Sequence, residues 1–335
     1  SFERGSVSFL LLAFLAERDA RPKELIKYYK LFLFRAMDDT ARQIVDRNTM
    51  GMRLGYTVSE FGKPRFSKSG SRLYFGAAPI KSAADTSLPE IDQVKVDVWH
   101  YNDDYLQTQQ LFNLKRDLER NYLAVFDLRD LTLMHLESEK ISQVITTAEG
   151  DGETAFGISD WGYRIETQWK GVSKKDIYKI DVATGDTTLI KKGLDGVVYS
   201  SFVSPNGDAI IWYDYALKQY VSWYKGKTQV ISRQIPFALY DEEHDSPSPP
   251  DPYGIAGFEV GDSAVWIYDR FDAWQVALNG QKKPRNITLQ GRVKKENLRY
   301  VRVDAKEKYV AEKGRSLWRF QQQQDKSAGL ALAKW

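Results

Sequence analysis

The chain has 335 residues, of which 42% are hydrophobic and 13% aromatic, enough to build a packed core. Its 48 basic residues nearly balance 45 acidic ones, and no long run of either sign occurs, which excludes the basic surface typical of nucleic-acid-binding proteins. The absence of cysteine excludes disulfides, thiolate catalysis and cysteine-ligated metals, but leaves the cellular compartment open.

The first predicted element is the apolar run at residues 9–16. It is far shorter than the roughly 20 residues that a membrane-spanning helix needs, so we expect a buried strand and no membrane span. Arg4 and Ala16 flank the run as in a signal peptide, but Glu3 does not suit the positively charged end of one. We therefore expect any export signal to lie upstream of residue 1.

A strand, a polar turn and a strongly apolar second strand recur along the chain. Clear copies are at residues 66–75, 203–212 and 258–267, and weaker copies are at 158–167 and 303–310. Glycine in the turn suits a hairpin that requires a positive φ. Gly162 and Gly207 are 45 residues apart. A period of about 40 to 50 residues with four short strands per unit is typical of β-propeller blades.

We therefore predict an all-β chain that forms a single β-propeller of four-stranded blades. About six units are visible, at residues 1–50, 56–137, 141–192, 195–233, 252–290 and 297–335, and the first lacks a clear first strand. A β-sandwich would not produce a fixed long period, and a helical repeat would show period-3.6 patterning, which occurs only briefly. Short helices are expected as insertions at residues 21–29 and 106–120.

Two long insertions interrupt the repeat. The first, at residues 77–120, contains the aromatic and acidic segment 96–105, in which we expect a strand around Trp99. The second, at residues 239–253, contains four prolines and predicts an extended, solvated loop without ladder pairing. Insertions of this kind in repeat proteins often carry function.

Several segments show a resemblance to a known family. They are residues 253–258, 265–274 and 286–288, together with 96–99, 104–107 and 212–214. With these segments the chain resembles the propeller of bacterial prolyl-oligopeptidase-family serine peptidases, especially members similar to dipeptidyl peptidase IV. The sequence Tyr-Asp-Arg-Phe-Asp-Ala-Trp at 268–274 is the most specific piece, and the likeness covers most of the chain.

The resemblance implies a non-catalytic role. In that family the propeller caps an α/β-hydrolase domain, which supplies the catalytic Ser, Asp and His, and it admits short or unfolded peptides. The nucleophile motif G-x-S-x-G occurs nowhere in the sequence, and the nearest segment, 157–162, is one residue too long. We therefore expect a chain that is inactive alone, needs no cofactor, and handles peptide substrates for a hydrolase domain following Trp335, in the periplasm or outside the cell. A free-standing envelope propeller that binds or scaffolds other proteins is the alternative.

The candidate substrate-binding residues are Glu242 and Glu243. Two adjacent carboxylates in an insertion can hold the α-ammonium of a peptide through charge-assisted hydrogen bonds. The resemblance implies this role, because dipeptidyl-peptidase members use a glutamate pair for it. Against it, further acids at 241, 245 and 251 surround the pair, and a solvated surface loop is the ordinary interpretation of such a run.

Other candidate sites have structural interpretations. His244 lies among consecutive acids that cannot easily converge on one ion, so no metal site is expected. His100 lies in the strand predicted around Trp99 and His135 lies in the segment 133–136, and both are predicted to be structural, which leaves no triad in this chain.

Asp269 and Asp272 form the third candidate site. The two carboxylates could form a glycosidase pair, which makes a propeller glycosidase a third possibility. We expect them instead to cap turns or to pair with Arg270 and Arg292. The triplet at 286–288 matches a glycosylation sequon but lies in a predicted strand, and no function is assigned to it.

Overall fold

The computed structural model describes residues 5–8, 11–21, 24–83, 87, 89–92, 96, 98–310 and 315–334. These residues form 24 strands in six antiparallel sheets, with three short α-helices. Two compact units are distinguished, Ser1–Ser173 with Tyr178–Leu189, and Lys174–Ile177 with Ile190–Trp335. The all-β fold of successive, mostly four-stranded blades is therefore confirmed as that of a β-propeller.

The first unit begins with two sheets. The first consists of β1 (Gly5–Ser8), β2 (Leu11–Ala16), β3 (Lys30–Arg35) and β4 (Arg42–Val45), paired in chain order. The second consists of β5 (Tyr56–Val58), β6 (Arg65–Phe66), β7 (Arg72–Pro79), β8 (Tyr122–Asp127) and β9 (Thr132–His135), with β6 also paired to β7. Leu31, Val58, Leu73 and Phe75 are buried in one core cluster that both sheets share.

A third sheet follows, and its last two strands have residues in both units. It consists of β10 (Gln143–Thr146), β11 (Thr154–Ser159), β12 (Lys175–Asp181) and β13 (Thr187–Leu194). Within the first unit, Tyr74 and Val125 of the second sheet pack with Ala155 and Ile180 of the third. Apolar side chains on alternate strand positions thus fill the space between successive sheets.

The second unit holds three further sheets. The fourth sheet consists of β14 (Gly196–Val197), β15 (Ala209–Asp214), β16 (Gln219–Tyr224) and β17 (Lys227–Val230). The fifth has β18 (Ile255–Phe258), β19 (Ala264–Tyr268), β20 (Ala273–Ala277) and β21 (Arg285–Asn286), and the sixth has β22 (Glu296–Val301), β23 (Arg315–Gln322) and β24 (Ala328–Lys334). Trp266 stacks on Trp318 at 6.0 Å, which joins the cores of the fifth and sixth sheets.

Aspartates in the turns connect one sheet to the next. The Oδ2 atom of Asp262, a fully buried residue, accepts the Asn206 N–H at 2.9 Å, from the turn that precedes β15. In the first unit, Asp151 likewise accepts the Ser69 N–H at 2.9 Å, from the turn that precedes β7. In both cases a carboxylate from one polar turn satisfies backbone donors of the preceding one, so the turns hold sheets together besides reversing the chain.

The helices and the first strand differ in part from expectation. The helix predicted at 106–120 is confirmed as α1 (Gln107–Leu118), and α2 (Thr167–Lys170) and α3 (Gly291–Lys294) are single turns. The helix predicted at 21–29 is wrong, because its described residues are not helical and Tyr29 forms a bridge with Val58. Leu25, Tyr28 and Tyr29 have helical spacing, but strand pairing takes the end of the segment, since Lys30 directly after it pairs with Ala16.

The strand predicted around Trp99 is also wrong, since residues 98–100 have no regular structure. At the start of the chain, β1 pairs with β2 although the sequence pattern shows no first strand there. The predicted apolar strand at 9–16 corresponds to β2, and residues 9 and 10 lie outside the described residues, as do the flanking positions 3 and 4. Within the described residues, no helix combines the length and hydropathy that a membrane span requires.

Candidate functional site

The insertion at 239–253 lies between β17 and β18 and has a paired base. The Asp241 N–H donates to the Asp251 carbonyl at 2.9 Å, and Tyr240 and Pro252 form an antiparallel bridge. The prediction that this loop has no ladder pairing is therefore wrong at the base of the insertion. Its tip, from 241 to 251, is held as a protrusion and is not a free linker.

The protrusion is strongly acidic. Five exposed carboxylates lie on it, those of Asp241, Glu242, Glu243, Asp245 and Asp251. His244 is the one basic side chain within the tip, and its Nε2 atom lies 2.8 Å from the Ser248 carbonyl oxygen. The ring is thus engaged by the loop itself, and the tip presents negative charge to solvent.

Glu243 has a fixed counter-charge. Its carboxylate accepts a hydrogen bond from the guanidinium of Arg270, which lies in the bend between β19 and β20 and is largely buried. The hydrogen bond to Glu243 raises the pKa of Arg270. Arg270 therefore fixes the position of Glu243 and compensates its charge.

Glu242 has no such direct partner, although its charge contributes to raising the pKa of Arg270. Its backbone N–H donates to the Tyr253 hydroxyl oxygen at 3.3 Å, which anchors the main chain at this point. Within the described part of the chain, its carboxylate has neither a hydrogen bond nor an ion pair. The glutamate pair is thus asymmetric, with one carboxylate in an ion pair with Arg270 and a second that is exposed and makes no direct contact of this kind.

Arg299 contacts the two residues, Arg270 and Tyr253, that hold the glutamate pair. Its guanidinium lies 4.6 Å from the centre of the Tyr268 ring and 5.6 Å from that of Tyr253, and donates to the Arg270 carbonyl at 3.4 Å. Burial lowers the pKa of Arg299, and burial raises that of Tyr268 to about 12. The anchors of both glutamates, Arg270 and Tyr253, are therefore both in contact with one half-buried cation that lies against aromatic rings.

Asp269 and Asp272 are turn caps, as predicted. Both are fully buried. Asp269 accepts the N–H groups of Phe271 and Asp272, each at 2.7 Å, and pairs with Arg292 at 3.1 Å. Asp272 accepts the Thr288 hydroxyl at 2.6 Å. Because protein donors occupy these carboxylates away from solvent, they are not placed to act on a glycoside. Of the two expected arginine partners, Arg292 is confirmed, whereas Arg270 pairs with Glu243.

The other singled-out residues have local roles. His135 is structural, since its Nε2 atom accepts the Arg53 N–H at 3.2 Å. His100 lies on an exposed segment outside any strand, and its ring stacks on Tyr101. The Asn286 side chain caps the turn after β21 by accepting the Thr288 N–H at 3.0 Å. No cluster of side chains suited to a metal ion occurs among the residues that the structure describes.

Comparisons with known proteins concern the fold. Neither the family models nor the curated proteins give a match. Among solved structures, the chain is similar to TolB from Acinetobacter baumannii, with 9% identity, a TM-score of 0.33, and coverage of 97% of this chain and 64% of that one. The acylaminoacyl peptidase of Pyrococcus horikoshii has 10% identity and a TM-score of 0.34, with coverage of 99% and 44%. The β-propeller domain of the Trilobed protease from Pyrococcus furiosus has 9% identity and a TM-score of 0.34, with coverage of 99% and 82%.

The chain thus spans 64% and 44% of the lengths of the first two proteins. With identities near 10% and TM-scores below 0.5, these likenesses do not by themselves assign an activity.

Proposed function

We propose that this chain is the non-catalytic propeller portion of a serine exopeptidase, which binds and orients peptides for an α/β-hydrolase domain of the same polypeptide in the periplasm or outside the cell. The observation that carries the proposal is the glutamate pair on the acidic protrusion. There the free Glu242 carboxylate lies beside Glu243, which Arg270 holds in place.

A peptide α-ammonium suits this pair chemically. It is compact, carries three donors, and can donate to Glu242 while a second N–H points to Glu243. Because Arg270 already restrains the Glu243 side chain and Tyr253 holds the Glu242 main chain, less freedom is lost at these two groups when the ligand binds. The paired base at Tyr240 and Pro252 limits the motion of the whole protrusion.

The test compares trialanine that has a free amino terminus with Nα-acetyl-trialanine, by isothermal titration calorimetry on the full chain. Removing a charge-assisted hydrogen bond costs about 1.5–3 kcal/mol, so acetylation and Glu242→Gln should each weaken binding by about 10- to 100-fold. Asp245→Asn is the matched control, because it removes one charge from the same exposed tip, and it should change affinity less than about threefold.

Two outcomes would contradict the proposal. Equal binding of the acetylated peptide would show that the ammonium is not recognised. Equal losses in Glu242→Gln and Asp245→Asn would show general attraction to an acidic surface in place of a site. A peptidase assay tests the catalytic part of the proposal. The chain alone should hydrolyse no peptide, whereas the chain joined to a hydrolase domain of about 200 residues should hydrolyse peptides.

A second candidate function, a protein-binding scaffold, is favoured by one observation. The insertion at 77–120 exposes large apolar side chains, among them Phe112 at 89% and Tyr101 at 91% exposure. Such side chains are common at protein interfaces. A stable complex with a defined envelope protein that Phe112→Ala dissociates, together with no binding of free peptides, would favour this function over the first.

A further inference from the structure

A concave pocket of about 240 Å³ lies on the insertion between β7 and β8, in the first unit. It is lined by Trp99, His100, Tyr101, Asp103, Tyr105 and Ile165, among others. Four of these six side chains carry aromatic rings and one is a carboxylate. None of these lining residues belongs to the turn caps or to the acidic protrusion described above.

The aromatic side chains are unusually open to solvent. Trp99 is 69% exposed and Tyr101 is 91% exposed, although both are large enough to be valuable in a core. The His100 ring stacks on Tyr101 with centroids 4.9 Å apart, and its Nδ1 atom accepts the Asn102 N–H at 3.2 Å. The local backbone therefore helps to orient the Tyr101 ring while its other face stays accessible.

The charges around the pocket are balanced except at Asp103. Arg164 pairs with Asp104 at 3.4 Å and with Asp160 at 2.7 Å, while Arg116 and Arg120 lie 3.8 and 3.9 Å from Asp117. The Asp103 carboxylate accepts one hydrogen bond, from the Gln110 amide at 3.1 Å. Within the described residues no cation pairs with Asp103, so the pocket combines aromatic faces with an uncompensated negative charge.

A cation that lies on aromatic rings and pairs with a carboxylate is already present beside the pocket. The Arg164 guanidinium lies 4.9 Å from the centre of the Tyr105 ring and 5.4 Å from that of Trp161, while its Nε–H donates to Asp160. Tyr105 also lines the pocket. A guanidinium on aromatic rings with a carboxylate counter-ion is therefore an arrangement already formed beside the pocket.

We propose that this pocket binds an arginine or lysine side chain of a peptide or protein partner. The cationic group lies against the faces of Trp99 and Tyr101, and Asp103 is its counter-ion. The apolar stem of the side chain packs on Ile165. This site recognises a side chain and is independent of the glutamate pair proposed to bind a peptide terminus.

The test uses probes whose amino terminus is acetylated, so that no α-ammonium can engage the glutamate pair. Acetyl-Ala-Arg-Ala-amide and its lysine analogue should bind the full chain in a heteronuclear NMR titration. The citrulline analogue, which keeps the shape but lacks the charge, should bind at least about tenfold more weakly. Choline is titrated in the same way, to distinguish a site for a peptide side chain from a site for a small organic cation.

Variants locate the site. Trp99→Ala and Asp103→Asn should each weaken binding of the arginine peptide by about five- to tenfold. Trp169→Ala is the matched control, because Trp169 has the same 69% exposure in the same unit, and it should leave binding unchanged. Unchanged circular dichroism of all three variants shows that they are folded.

Three results would overturn the assignment. They are citrulline binding as tightly as arginine, an unchanged affinity in Trp99→Ala, and a loss in Trp169→Ala equal to that in Trp99→Ala. Tighter binding of choline than of the arginine peptide would also overturn it, in favour of a site for small quaternary amines.

Discussion

Replacing His135 by glutamine should remove a pH-dependent part of the stability of the first unit. His135 ends β9, its ring lies edge-on to Tyr56 at 5.8 Å, and its Nε2 atom accepts the Arg53 N–H. The neutral ring therefore carries its proton on Nδ1, which is buried and has no partner among the described residues. Protonating Nε2 would place two donors against each other and break the bond to Arg53.

Burial, and secondly the charge of Arg53, lower the pKa of His135 from the ordinary value of 6.5 to about 4. Above pH 6.5 the ring is neutral in both the folded and unfolded chain, and this contribution is fully present. As the pH falls toward 4, the unfolded chain takes up the proton first, so the contribution is lost. The difference between these two pKa values corresponds to about 3 kcal/mol of unfolding free energy. We reduce this to about 1–2 kcal/mol because the ring is partly exposed.

The assay has two steps. The chain has three histidines, so NMR titration of their ring protons, assigned with His100→Gln and His244→Gln, measures the pKa of His135 directly. Urea unfolding of the wild type and of His135→Gln at pH 7 and pH 5 then gives the linked stability, and the wild type should lose about 1 kcal/mol more than the variant. A His135 pKa near 6.5, or equal losses in both proteins, would refute the reasoning.

Two further predictions concern buried charges. Asp262→Ala should lower the free energy of unfolding of the second unit by about 1–3 kcal/mol in urea, because the Asn206 N–H loses its acceptor; a loss under about 0.5 kcal/mol would contradict the role of this turn. Arg72→Met should cost the first unit about 3–5 kcal/mol, measured the same way, because the buried guanidinium pairs with Asp127 and Glu153; the control Glu153→Gln, at an exposed partner, should cost under about 1 kcal/mol.

The repeat was predictable because its signal is local. The glycines expected to turn the chain do so, with φ values of +74° at Gly70 and +87° at Gly207. Where an element depends on distant partners, the pattern fails. The two-residue strand β14 and the strand β1 are defined by pairing with β15 and β2, which no short window of sequence shows.

The candidate site was predictable only in part for the same reason. The glutamates were visible as an unusual pair in an insertion, and turn capping was one of the two structural roles expected for Asp269. Arg270 was assigned to the wrong partners, because its pairing with Glu243 spans 27 residues and depends on how the insertion folds back. Arg299, which supports both anchors, carries no local signal at all.

The contrast between the two carboxylate pairs supports a choice between them. Asp269 and Asp272 are fully buried, and backbone, hydroxyl and guanidinium donors occupy their oxygens, so the fold itself uses their charge. Glu242 has the same chemistry but leaves its oxygens exposed at the tip of a restrained protrusion. A charge that the fold neither neutralises nor buries contributes little to stability. It is therefore at Glu242, and at Asp103 in the aromatic pocket, that a ligand has most to gain by supplying the missing cation.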